Sequence, residues 1–317
     1  MPRSTLGDRL QNYAAEKRLR WIARSLSHFV LHGADDDELP LDAAVVEREL
    51  QGEVTPTLFL DFYSRSGMES ALREYGLWRR LEDRGHHLQL EFAREGPWRH
   101  VFRLRDTGLP TDENLLVELC ARFLTLVGHE GGVWPSVLDR AEALAIEWLL
   151  MQNPRASFTP LRPPLPGQAY PGLGIGREVM GLLEIMAERL GREALIAVPQ
   201  HYHNGFLYDR RFRFVDPARE GELHALERDL AGLDLATASW AVELGLVDDL
   251  ERGEVFRWRP EEMLRPLSPR LSAWFESDSW RKKRRTAFRT RRFRVRSEGL
   301  APLQAALAEA RKPDGAD

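Results

Sequence analysis

The sequence predicts an α+β protein, a mixed central sheet with helices against it and helical additions at both ends. Three observations predict this. From residue 179 to 190, Val179, Leu182, Leu183, Met186 and Leu190 fall on one face of a 3.6-residue period, the pattern of an amphipathic helix. A short apolar run at 195–198 follows and stops at Pro199, as a buried strand does. Further upstream, Leu88, Leu90 and Phe92 alternate with Gln89 and Glu91. Val101, Phe102 and Leu104 answer them across Glu95-Gly96-Pro97-Trp98, which gives a hairpin.

The bounds are consistent with this. A chain of 317 residues allows one large or two modest domains, and 43% hydrophobic residues suffice for a core. A net charge of −4 argues against a protein that binds nucleic acid over its whole surface. The single cysteine, Cys120, excludes an internal disulfide and suits a reducing compartment. No apolar run approaches the ~18 residues of a membrane span, and residues 1–21 lack the apolar centre of a signal peptide. The expectation is a soluble, cytoplasmic protein.

Taken in order, residues 6–31 carry Leu6, Leu10, Tyr13, Leu19, Ile22, Leu26 and Val30 at helical spacing, in one long helix or two short ones. Residues 33–50 are acidic and read as a solvated loop and helix start. A short apolar strand is expected over 58–63 and a helix over 67–84, before the hairpin. Residues 112–129 and 135–152 read as two apolar helices around Gly128 to Gly132, an inserted helical hairpin. Residues 204–211 are long enough for two helical turns, and Phe212, Phe214 and Val215 suggest a strand. Beyond Pro217, residues 220–247 are helical in pattern and 254–259 form one more strand. Pro260, Pro266 and Pro269 break the chain, and 270–276 is a short helix. The tail from Lys312 is expected to be disordered. The expected division is a helical segment over 1–54, a core over 55–217 with its insertion at 112–152, and a helical extension over 218–317.

Gly172, Gly174 and Gly176 alternate in the loop that opens the helix at 177–190. Glycines admit a ligand close to the backbone, and the first amides of a helix point outward unpaired in a partly positive field, where a diphosphate fits. The order that follows is strand, short helix with Asn204 and Tyr208, and a strand with Phe212-Arg213-Phe214. Over residues 156–216 this resembles the coenzyme-binding half of the GNAT acyltransferase superfamily. The resemblance implies a GNAT-like mixed sheet and transfer of an acyl group from acetyl- or another acyl-coenzyme A to an amine acceptor. It implies that Gly172, Gly174, Gly176 and Arg177 hold the diphosphate, that Asn204 fixes the short helix and contacts the coenzyme, and that Tyr208 protonates the leaving thiolate. Where the family carries Arg or Gln three residues before the first of its two loop glycines, this chain has Pro171. Pro160, Pro163, Pro164 and Pro166 stand where the family places the strand that holds the pantetheine arm.

Other residues carry open readings. His203, just past the expected strand, is a candidate general base on the acceptor side, since imidazole titrates near ~6.5. His201 and His203 alone make an incomplete metal site, so no metal is expected. Residues 281–296 hold ten Arg or Lys and no acid, with Phe288 and Phe293 interleaved. Such a strip can bind a nucleic acid, a coenzyme phosphate or an anionic surface, or pair internally with acidic segments such as 33–50. With it comes a second reading of the whole chain, a non-catalytic scaffold that uses the strip to hold a partner. Cys120 reads as a small core residue.

Overall fold

A computed structural model describes residues 6–32, 58–128 and 140–309. The acidic segment 33–50, the turn expected around 128–132 and the tail from Lys312 lie outside them, wholly or in the main. The chain opens with α1 (Leu6–Ser25) and α2 (His28–His32), the two-helix form of the first stretch. Where one strand is expected over 58–63, two very short ones, β1 (Leu58–Phe59) and β2 (Tyr63–Ser64), pair through a turn. Leu60 and Asp61 take φ of 54° and 53° there, the left-handed pair that closes a tight hairpin. The helix expected over 67–84 is also two, α3 (Arg65–Glu74) and α4 (Leu77–Glu82), divided at Gly76 with φ 74°. Ser64 caps α3 by accepting the Gly67 amide at 3.0 Å.

Then come β3 (Leu88–Glu95) and β4 (Arg99–Asp106), the expected hairpin, paired from Leu88–Asp106 to Glu95–Arg99. The next stretch overturns an expectation. Residues 112–152 hold no helical hairpin among the described residues. They form β5 (Leu115–Val127) and β6 (Arg140–Met151), two long antiparallel strands. A register shift between Cys120 and Ala121 breaks the alternation along β5, so the apolar residues do not keep to every second position. At 13 and 12 residues the two strands also exceed ordinary strand lengths, which favours a helical reading.

After β6 come α5 (Gly176–Arg189), β7 (Ala194–Ala197), α6 (Tyr202–Tyr208) and β8 (Arg213–Phe214), in the expected order. The C-terminal part comprises α7 (Pro217–Asp229), α8 (Leu235–Glu243), β9 (Val247–Asp249), β10 (Glu254–Val255), β11 (Met263–Pro266), α9 (Pro269–Phe275), α10 (Asp278–Thr290), β12 (Phe293–Val295) and α11 (Ser297–Glu309). It is not simply a helical extension. β9, β10 and β12 make a small sheet, and β11 enters the main one.

That main sheet has seven strands in the order β3-β4-β5-β6-β7-β11-β8. All neighbours are antiparallel except β6 and β7, which are parallel and joined through α5. Helices flank the sheet. The α1 helix rides on α5. Gly181 lacks the side chain that would strike Leu19 Cδ1 at 2.7 Å, Arg20 clasps Glu188 at 2.7 and 2.9 Å, and Arg189 donates to Ala23 O. Gly221 does the same for α7 and α10, since a Cβ there would lie 2.3 Å from Arg284 O. Below β3 and β4, buried Asp106 accepts hydrogen bonds from His87 N–H, Gly108 N–H, His86 and Arg155. Burial alone would raise its pKa; these donors outweigh that and hold the carboxyl well below its ordinary range.

Candidate functional site

The parallel pair sets the site. Its register runs from Ala143–Ala194 to Ile146–Ala197 and stops, while β6 continues to Met151. Residues 147–151 therefore have no strand on the β7 side. In open sheets with parallel strands, ligands bind in the crevice beyond the carboxyl ends, where connections part. Two of the sequence-predicted groups leave that end. The chain from β6 returns through the glycine loop into α5, and the chain from β7 enters α6.

The strand bordering this gap contains no proline. Pro160, Pro163, Pro164 and Pro166 lie in the connection that follows it. Trp240 Nε1–H donates to Pro164 O at 3.0 Å and fixes that connection against α8.

Gly174 has φ 69° and is exposed, a conformation that glycine adopts freely. Added Cβ atoms at Gly172 and Gly176 would meet Met151 only at 3.7 and 3.4 Å, ordinary contact, and neither has positive φ. Packing does not demand glycine at those two positions, so their bareness keeps the approach to the backbone open. No side chain caps the first turn of α5: its N-cap is Ile175, a buried hydrocarbon. The outward amides there have no capping partner, which suits an anion.

Cations surround the loop. Arg177 is exposed in the first turn. Arg162 Nη2 lies 3.9 Å from where a Gly174 Cβ would stand. Arg84 Nη1–H donates to Leu173 O at 2.6 Å and braces the loop, and Arg80 pairs with Glu178 at 2.9 Å. Sequence reasoning named only Arg177. Arg162 and Arg84 are brought in by a connection and by the end of α4, with no motif to mark them.

On α6, Asn204 is a capping residue. Its Oδ1 accepts the His201 amide at 3.1 Å in a reciprocal capping box. His203 is buried, its Nδ1 has no hydrogen-bond partner, and burial together with nearby His201 pulls its pKa down to about 4. It is neutral at pH 7, the form a base needs, but its enclosure sets it back from solvent. The His201 ring stacks on it at 5.3 Å, with Nδ1 3.1 Å from Glu243 Oε2. Tyr208 packs on Phe212 at 5.6 Å, and burial raises its pKa, so the phenol keeps its proton. Cys120 is buried in β5, as a core residue.

An apolar cavity of about 70 Å³ lies between α4, α5 and the sheet, lined by Leu77, Trp78, Leu119, Leu149, Val179 and Met186 among others. It has no polar group to orient a ligand, and it reads as packing space. The basic strip divides. Arg291 is buried against Glu222 and Asp249, and Arg294 and Arg296 pair with Asp248. Arg281, Lys282, Lys283, Arg285 and Arg289 stay exposed on α10, with no ion pair among the described residues. No helix among the described residues is long and apolar enough to cross a membrane.

No protein-family model matches the chain, and no curated protein is significantly similar to it.

Proposed function

We propose that the chain is a GNAT-like N-acyltransferase that moves an acyl group from acyl-coenzyme A to an amine. One observation carries the reading: β6 and β7 part beside a bare glycine loop that opens into the uncapped amino end of α5. A diphosphate would rest on the amides of 174–177 between Arg162 and Arg177, with Arg84 bracing the loop. The pantetheine arm would extend the ladder along the free side of residues 147–151, whose backbone groups have no strand there.

In the transfer step the amine nitrogen attacks the thioester carbonyl carbon, the C–S bond breaks, and the sulfur leaves as thiolate. Tyr208 supplies the proton that turns the thiolate into free coenzyme A, and its burial keeps that proton in place at neutral pH. The proton lost by the amine goes to neutral His203. Asn204 holds both groups in register by capping their helix.

Calorimetric titration with acetyl-coenzyme A tests the binding half, and release of free thiol in the presence of an amine panel tests the chemistry. Saturable binding with thiol release supports the enzyme. Binding without release leaves a coenzyme-binding scaffold, and no binding ends the proposal. The exposed cations of α10 favour the scaffold as the second reading, with a nucleic acid as partner. A salt-titrated assay with RNA and DNA decides that: no binding at low salt removes it.

A further inference from the structure

The sequence gives no reason to expect a metal, yet the fold brings three ligand-type side chains together away from the glycine loop. Asp209 closes α6, and His224 and Glu227 stand three apart on α7, on one side of that helix. One ligand atom from each, an imidazole nitrogen or a carboxylate oxygen, lies within 4.8 Å of the other two. His224 Nε2 is already 3.1 and 3.2 Å from the two Asp209 oxygens. All three are partly buried.

A fourth group stands behind them. Glu220, one turn before His224 on the same helix, is fully buried. Its Oε2 accepts the Phe214 amide at 2.9 Å, but its Oε1 receives no hydrogen bond and has only the Arg213 guanidinium at 3.3 Å. Arg213 is 41% exposed and is shared with Asp209. Asp209 and Glu220 thus share one guanidinium that is open to water. Glu227 has no hydrogen bond or ion pair among the described residues, and its other near neighbour is the neutral phenol of Tyr202. Burial and the charge of Asp209 push Glu227 up to about 7, and His224 beside it pulls the other way.

We infer that Asp209, His224 and Glu227 form a binding site for a first-row divalent cation, clamping the end of α6 to α7. One imidazole and two carboxylates are a nitrogen and oxygen donor set suited to Zn²⁺ or Mn²⁺, which would sit ~2.0–2.2 Å from each ligand. His224 would offer Nε2 and keep its proton on Nδ1. Glu220 would remain behind the metal as an added negative charge. The inference does not depend on the acyltransferase reading, because the clamp orders α6 whatever that helix does.

The test uses the full chain, stripped with chelator and titrated with ZnCl₂. One Zn²⁺ per chain is expected, with a rise in thermal midpoint. Glu227→Gln and His224→Asn should each weaken binding by at least about tenfold, with His201→Asn without effect. If the variants fail to fold, zinc-edge absorption of the unaltered protein decides. A shell of one imidazole plus oxygens supports the site, and two imidazoles overturn it by pointing to His201 and His203. No binding, or binding that survives Glu227→Gln and His224→Asn in folded protein, also overturns it.

Discussion

Replacing Gly174 by Asp tests the coenzyme reading at its most exposed point. The substitution is tolerated by the fold on local grounds. The nearest atom to a new Cβ is the end of Arg162, 3.9 Å away, and the surroundings are solvent. The left-handed φ of 69° costs an ordinary side chain ~1–2 kcal/mol, and Asp is among those that visit this region most readily. The new carboxylate would stand over the amino end of α5 and pair with Arg162, in the place a diphosphate needs. At 4 Å in bulk water two unit charges repel by about 1 kcal/mol, so a doubly charged diphosphate loses ~2 kcal/mol, or about thirtyfold in affinity. That is the lower end, since a less wet loop screens less. The assay is calorimetric titration with acetyl-coenzyme A, alongside a thermal melt of each variant. Gly253→Asp is the control: it shares the strain, with φ 68° and nothing within 4 Å, at a remote turn. If Gly174→Asp and Gly253→Asp bind the coenzyme within about twofold of each other, no diphosphate sits on this loop and the reasoning fails.

Three further outcomes follow from the geometry. Tyr208→Phe should lower turnover by about a hundredfold while coenzyme binding changes little, because only the proton donor is removed; unchanged thiol release takes Tyr208 out of the mechanism. Asp106→Asn should destabilise the fold by ~3 kcal/mol at pH 7, since it unbalances a buried ion cluster. Its pH dependence has a definite sign. A carboxyl held below its unfolded value contributes stability above ~pH 4 and loses it as pH falls further, so the unaltered protein should weaken between about pH 5 and 2 more steeply than Asp106→Asn in urea melts. Gly221→Val should cost at least ~2 kcal/mol by forcing α10 off α7, and a melting temperature matching the unaltered protein would show that the two helices do not meet as described.

The parts legible in the sequence are those where local chemistry and fold agree. The hairpin at 88–106 was readable because its strands alternate and its turn carries Gly96 and Pro97. The run from Gly172 to Phe214 was readable because each element ends at its own signal, such as Gly191 with φ 67° after α5. The failures have a common cause. In β5 the register shift at Cys120/Ala121 moves apolar residues off the two-residue period, so only the length of β5 and β6 is left, and length points to helix. Strand β11 hides between Pro260 and Pro266 because its pairing with β7 and β8 is set by distant chain, which no local window contains. The loop cations Arg84 and Arg162 and the trio on α6 and α7 were invisible for the same reason. Their partners are close only after folding, and His224 and Glu227 by themselves look like any polar pair on a helix.

The placement of β11 has a consequence for how the protein can be made and cut. Strand β7 leaves the synthetic machinery with one flank covered by β6 and the other bare, and it stays bare until some seventy residues later Met263 to Pro266 arrive to fill the slot. A fragment ending near residue 217 would expose a raw apolar margin that invites other copies to bind, so it should precipitate rather than yield a smaller working unit.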